Sequence, residues 1–312
     1  MNSLPEPHPL DFDWRFTPHT IEKFVEMVDK EEGILAVGTP SVARRFHQLG
    51  RDVALVDRQP IHFVDNHSQI QIDSDAPRIS GYKTAIVDPP WYPEHALTWM
   101  SWAANCVGLN GLIFASVWPP DTRPTGEREF ANIFEWLESW STVSIANFKP
   151  RYELPLFEAE AYNSSFEQGL STSPRLGRLL KIRVRFLPEV PPLNGKKKKW
   201  LRFVFNDYQL ALRVRPNDFS DPMIKPVSGI ESWQWPYVSR RAPGRDSIDV
   251  WSSRNEVAVA GGTKSIAEAL RQAALAKDHN TFEAALSAVP AIAEWKIPRP
   301  PFRRVFEWEH RQ

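Results

Sequence analysis

Four short apolar runs, each closed by glycine or aspartate, constrain the fold more than any other feature of the chain. Ile34-Leu35-Ala36-Val37 ends at Gly38, Val53-Ala54-Leu55-Val56 at Asp57, Ile70-Gln71-Ile72 at Asp73, and Thr84-Ala85-Ile86-Val87 at Asp88. Runs this short, and apolar on both faces, are strands of a mostly parallel sheet covered by helices on either side. The stretches between them carry helical spacing. Thr17 and Pro18 open a helix expected over about 18–30, with Ile21, Phe24, Val25 and Val28 on one face. Ser41 is expected to cap a second helix, which carries Val42, Phe46 and Leu49 and stops at Gly50. A third is expected from Pro93 to Val107, then a strand at Leu112–Ala115, then a helix marked by Phe130, Ile133, Phe134 and Leu137. Val143–Phe148 and Leu156–Tyr162 are expected to close the sheet as a pair of strands. The pattern predicts a doubly wound α/β sheet. Such sheets bind ligands beyond the carboxyl ends of their strands, where Gly38, Asp57, Asp73 and Asp88 all fall.

The character changes after about Ser164. Lys181–Phe186, Trp200–Phe205 and Tyr208–Val214 read as strands, with a proline- and lysine-rich loop (Pro191–Lys199) among them. A Trp/Pro/Arg-rich stretch spans Ile230–Asn255, and Ser265 with Glu268 and Asn280 with Glu283 read as capping boxes of two short helices. With 312 residues the chain exceeds one small core, so we expect a doubly wound domain over 11–164 and an α+β extension over 165–312. The extension is a candidate substrate-recognition region.

Thirty-eight basic and 38 acidic side chains cancel, which excludes a surface that coats nucleic acid or anionic lipid throughout. A single cysteine, Cys106, excludes a disulfide framework and a cysteine zinc site, and fits a reducing cytoplasm. The chain has no apolar run near the ~20 residues that cross a bilayer. Met1–Pro7 lacks the basic and apolar regions of a signal peptide. A cytoplasmic protein without membrane contact is the expectation.

Val37-Gly38-Thr39-Pro40-Ser41 joins the first strand to a helix, a turn that brings backbone N–H groups close to a ligand. Asp57, 19 positions beyond Gly38, stands where an acidic residue accepts hydrogen bonds from both ribose hydroxyls. The three-glycine dinucleotide fingerprint and the phosphate-loop lysine are both missing. A nucleoside ligand without pyrophosphate needs neither, and S-adenosylmethionine is such a ligand.

Asp88-Pro89-Pro90-Trp91-Tyr92 carries the sharper signal. Two prolines cannot continue a strand ladder, so they hold the chain rigidly at the strand end. They aim the Asp88 carboxylate and the Pro89 carbonyl outward, two acceptors for the two N–H groups of a planar amine. Trp91 or Tyr92 offers a face on which a ring can stack. The arrangement suits methyl transfer to an exocyclic amine, where alignment is the main contribution.

These residues resemble the amino-directed N6-adenine methyltransferases, whose signature is Asp-Pro-Pro-Trp. Asp13-Trp14-Arg15-Phe16-Thr17-Pro18-His19-Thr20 with Gly38-Thr39-Pro40-Ser41 is similar to a smaller group, the N6-adenine-methyltransferase-like proteins, some of which methylate a lysine on a translation elongation factor. The resemblance covers about 11–162. It implies a Rossmann-like methyltransferase sheet, a target-amine site of Asp88, Pro89, Pro90 and Trp91, and a cofactor site of Gly38, Thr39, Pro40 and Asp57, with Asp73 against the adenine. The chain departs from the pattern in its single turn glycine and in the short span from Asp57 to Ile70.

Candidate substrate contacts are Tyr92, then Lys149 and Arg151 where the last strands turn, then Arg240 and Arg241 in the arginine-rich loop. Lys149 and Arg151 read sooner as solvated hairpin charges, and Arg240 and Arg241 read equally as loop arginines paired with Asp246, Asp249 and Glu256. His62, Asp65 and His67 have metal-ligand spacing but nothing rigid to hold them, so no metal is expected. Adenine in nucleic acid leads as substrate and a protein lysine follows. A scaffold that has lost cofactor binding is the alternative that the single glycine motivates. The missing fingerprint disfavours nicotinamide.

Overall fold

A computed structural model of the chain describes residues 4–11, 13–30, 32–59, 67–70, 72, 75–164, 175–193, 200–215, 217–218, 220–230, 233–237 and 242–300. They form two compact units. The first comprises Met1–Leu4, Trp14–Leu154 and Ser171–Lys196, and the second Pro5–Asp13, Pro155–Leu170 and Lys197–Gln312.

The first unit begins with α1 (Pro18–Met27), β1 (Ile34–Val37), α2 (Pro40–Gln48), β2 (Val53–Asp57), β3 (His67–Gln69) and β4 (Thr84–Val87). It continues with α3 (Pro93–Val107), β5 (Leu112–Val117), α4 (Gly126–Trp140) and β6 (Ser141–Ile145). After α5 (Leu156–Ser164), which belongs to the second unit, β7 (Arg178–Val184) returns to the sheet. The sheet has seven strands in the order β3-β2-β1-β4-β5-β7-β6. β1 to β5 run parallel, and β7 lies antiparallel between β5 and β6. This is the doubly wound, Rossmann-like α/β fold expected from the alternation of apolar runs and amphipathic helices.

Alternate side chains of β1, β2, β4, β5 and β7 enter two separate cores, as burial on both faces requires. Leu35, Val37, Ala85, Val87, Ile113 and Ile182 pack under Met100, Trp102, Ile133 and Leu137 of α3 and α4. Ile34, Ala36, Leu55, Ile86, Phe114 and Leu179 face Phe24 of α1 and Val42 and Phe46 of α2. Each large apolar side chain so buried contributes about 1.5–3 kcal/mol against chain entropy.

Several expectations need correction. The third strand is His67–Gln69 rather than 70–72, and Asp73 lies outside the described residues. α2 starts at Pro40 with Thr39 before it, so Ser41 falls inside the helix instead of capping it. Leu156–Tyr162 is helical: Pro155 opens the turn, good helix formers follow, and Phe157 and Ala161 are buried one turn apart. The strand that pairs with β6 is instead β7, which the sequence placed in the extension. Val143 faces Ile182, and Ala115 of β5 faces Leu180. The first unit therefore reaches beyond residue 164.

In the second unit β8 (Trp200–Phe205), β9 (Tyr208–Arg213), β10 (Met223–Lys225), β11 (Val250–Ser252) and β12 (Val257–Gly261) form an antiparallel sheet ordered β10-β12-β11-β9-β8. α6 (Thr263–Leu275) and α7 (His279–Ser287) share its core through Ile266, Leu270 and Phe282. Neither expected capping box forms. The Asp218 carboxylate accepts the Thr263 N–H at 2.9 Å to start α6, and Asp278 accepts the Thr281 N–H at 2.8 Å to start α7. Among the described residues no helix is long and apolar enough to cross a membrane.

Candidate active site

β1 lies between β2 and β4, and Val37 is in register with both Val56 and Val87. Gly38, Asp57 and Asp88 therefore leave the sheet at the same level. The Gly38 N–H donates to the Val56 carbonyl at 2.8 Å, and the Asp88 N–H donates to the Val37 carbonyl at 3.1 Å. The chain from β1 passes to α2 in one core and the chain from β4 passes to α3 in the other. The β1/β4 junction is thus the point where the sheet's connections diverge, and a crevice opens there in doubly wound folds.

Gly38 has φ +65°, and a side chain on it would meet the Trp99 ring at 2.5 Å and the Asp88 carbonyl at 3.3 Å. Both facts demand glycine. The close approach read from the sequence is therefore, at least in part, an approach to Trp99 of α3. Thr39 is buried and its hydroxyl donates to the Ile86 carbonyl at 3.4 Å, while Pro40 fills the first position of α2. Asp57 is 9% exposed, and its Oδ1 accepts the Gln59 N–H at 2.8 Å.

The segment after β4 is held from two sides. Pro89 is buried, and Asp88, Pro90, Trp91 and Tyr92 are half-buried. The Tyr92 N–H closes a tight turn onto the Pro90 carbonyl at 2.6 Å, after which Pro93 begins α3. On one side Arg123 donates to the Trp91 carbonyl at 2.9 Å. Its guanidinium lies 5.7 Å from the centre of the Tyr92 ring and 4.8 Å from that of Trp118, and it pairs with Glu129 at 2.5 Å. On the other side stands Tyr152, whose hydroxyl donates to Asp88 Oδ1 at 2.6 Å and lies 2.6 Å from the Ser116 hydroxyl. The Trp91 ring meets the Tyr152 ring edge-on at 5.5 Å. Burial, and then the charge of Asp88, push the Tyr152 phenol well above its usual range, so it is a neutral donor.

The aromatic/Thr-Pro segment acquires a structural reason here. Phe16 bridges to Tyr152 in the backbone and packs against its ring at 4.7 Å. Thr17 and Thr20 tie the start of α1 to the backbone of Arg151.

Of the residues selected from sequence, Gly38, Thr39, Pro40, Asp57, Asp88, Pro89, Pro90, Trp91 and Tyr92 come together at one end of the sheet. Lys149 and Arg151 are exposed on the segment that follows β6 toward Tyr152. Arg240 and Arg241 lie outside the described residues, as does Asp73. Tyr152, Ser116 and Arg123 were missed. The first two follow only from pairing of distant strands, although Tyr152 directly follows Arg151, itself a candidate substrate contact. Cys106 is buried in a core and its thiol is pushed up to about 12, as suits an inert packing residue.

No protein-family model and no curated protein sequence matches the chain. Among solved structures it is similar to the branched-chain polyamine synthase C9 mutein from Thermus thermophilus, in complex with N4-aminopropylspermidine and 5′-methylthioadenosine. The identity is 13% and the TM-score 0.50, over 62% of this chain and 64% of that one. The 16S rRNA N2 G1207 methyltransferase of T. thermophilus, in complex with S-adenosylmethionine and guanosine, aligns at 14% identity and a TM-score of 0.36, over 72% of this chain and 55% of that one. The matched region thus spans less than two thirds of either protein's own length. The first similarity establishes the shared Rossmann-like fold.

Proposed function

We propose that the chain is an S-adenosylmethionine-dependent methyltransferase acting on an amino nitrogen, with N6 of adenine in nucleic acid as the acceptor. The observation that carries this reading is the Asp88 carboxylate, held by a buried neutral phenol at the β1/β4 junction, with one strand, β1, between it and Asp57. The residues present fit the cofactor. Asp57 ends β2, where its carboxylate would accept from ribose hydroxyls, and the first turn of α2, which has no side-chain cap, would receive the carboxylate. When bound, the cofactor supplies a sulfonium methyl: an N–C bond forms as the C–S bond breaks, a neutral thioether leaves, and the amine then loses one proton to solvent.

Asp88 accepts an N–H of the acceptor amine and turns its lone pair toward the donor. The Pro89-Pro90 pair and Arg123 keep that carboxylate and Trp91 from drifting, which matters because alignment dominates such displacements. Cations gather at the same end of the sheet. Arg178 stands opposite Val117 at the end of β5, and Arg175 precedes it, with Lys149 and Arg151 alongside. This setting supports a phosphate-bearing substrate.

The test is incubation of the full chain with methyl-labelled S-adenosylmethionine and separate DNA, RNA and protein pools. We expect label on adenine N6 in one nucleic-acid pool, and its loss in Asp88→Ala. Label confined to protein lysine would move the acceptor to an ammonium, which must first shed a proton held at a pKa of about 10.4. A chain that binds no cofactor would instead be a scaffold.

A further inference from the structure

We infer that Tyr152 is the positioning residue of the site. Its hydroxyl fixes the Asp88 carboxylate as a hydrogen-bond acceptor rather than a base, which matches the site to a neutral planar amine. This rests on the amino-methyltransferase reading above.

The direction of the hydrogen-bond chain follows from counting protons. A phenol has one O–H, and Tyr152 gives it to Asp88 Oδ1 at 2.6 Å. At the 2.6 Å contact with Ser116 the serine must therefore be the donor. The Trp91 ring also meets the Tyr152 ring edge-on at 5.5 Å. The order is Ser116 to Tyr152 to Asp88, with Tyr152 linked to both the first and the last residue of Asp-Pro-Pro-Trp. Tyr152 is 4% exposed and Ser116 fully buried, so solvent reaches this chain only at its half-buried end, Asp88.

The surroundings are built to this arrangement. Phe16 covers the Tyr152 ring. At Gly177, just before β7, a side chain would come within 2.5 Å of the Ser116 hydroxyl and 3.3 Å of the Tyr152 ring. Gly177 does not have the left-handed backbone that would explain a glycine there. The space it leaves is occupied by the serine and the phenol.

A carboxylate that accepts a phenol hydrogen bond is stabilised in its charged form and is a weaker base. An exocyclic amine on an aromatic ring is already neutral and sheds its proton only after gaining the methyl, so it needs an oriented acceptor. A lysine ammonium needs its proton removed first, which a weakened carboxylate does poorly.

The test uses the full chain and Tyr152→Phe, which keeps the ring and deletes the hydroxyl. Carboxyl carbon NMR of Asp88 reads the hydrogen bond without any substrate, and its titration midpoint should move to higher pH in the variant. An unmoved midpoint overturns the proposal. In the transfer assay kcat should fall about 10–100-fold, as loss of a hydrogen bond to a charged group implies, with cofactor affinity within a few-fold. Unchanged kcat also overturns it, as does an equal loss of kcat and cofactor affinity, which marks general damage. Should Tyr152→Phe fail to fold, Ser116→Ala, which removes the donor to the phenol, should shift the same midpoint in the same direction by less. Failure of wild-type protein to methylate any amine would defeat the proposed function, while the NMR midpoint still decides whether Tyr152 holds Asp88.

Discussion

Gly38 shows how one atom's worth of space joins two tasks. Its φ of +65° penalises any side chain, and the Trp99 ring already fills the place of a Cβ. Gly38→Ala should cost about 2–4 kcal/mol in chemical denaturation, part backbone and part overlap. Adding Trp99→Leu should recover the overlap and leave the backbone cost, a separation that a double-mutant cycle measures. Asp57 belongs to the same end of the sheet but bears on the cofactor. Asp57→Ala should weaken S-adenosylmethionine binding in calorimetry by about 1.5–3 kcal/mol for each charge-assisted bond lost. Gly38, Asp57 and Asp88 were legible because strand ends announce themselves in an apolar run. Tyr152 was not, because nothing in Phe148–Glu153 states that its phenol lies beside a carboxylate 64 positions earlier. Arg123 is hidden for the same reason.

At the level of the element, continuous apolar strands and proline-opened helices were readable, and α1, α3 and β1 to β2 stand close to where spacing put them. Local signals that depend on a distant partner misled. Ser265 with Glu268 has the capping pattern, yet α6 starts three residues earlier than that pattern sets because Asp218, from a separate loop, takes its first N–H. Hydrogen bonds from the Ser220 hydroxyl and the Thr263 backbone hold the Asp218 carboxyl well below the usual carboxylate range. A group depressed in the folded state stabilises above its unfolded pKa and loses that contribution as pH falls through the folded value. Asp218→Ala should therefore lower stability by about 1 kcal/mol at neutral pH. The difference in Tm from wild type should hold down to about pH 5 and shrink below about pH 4, as scanning calorimetry across that range can show.

For the whole molecule, the decisive departure from expectation is the strand at Arg178–Val184, which belongs to the first sheet although it follows α5 of the second unit. A fragment ending at residue 164 lacks it, and β5 and β6 then have no neighbour between them. We expect that fragment to show no cooperative urea transition, whereas one ending at residue 196 should show one. A sequence reading by composition drew its line at the change of texture near Ser164. The sheet draws its own line by pairing, and the alternation of Leu180, Ile182 and Val184 with charged residues gave no hint of which sheet it served.

The same strand order sets a timetable for synthesis. Ile145 closes β6, but the strand beside it among the described residues ends at Val184. At about 5–20 residues per second a ribosome needs roughly 2–8 s to cover that interval. During it a nascent chain carries two unpaired edges, one of them leading to the segment that bears the phenol. Substitutions in β7 should therefore surface in cells first as lost yield and chaperone dependence, before any purified protein reveals a weaker sheet.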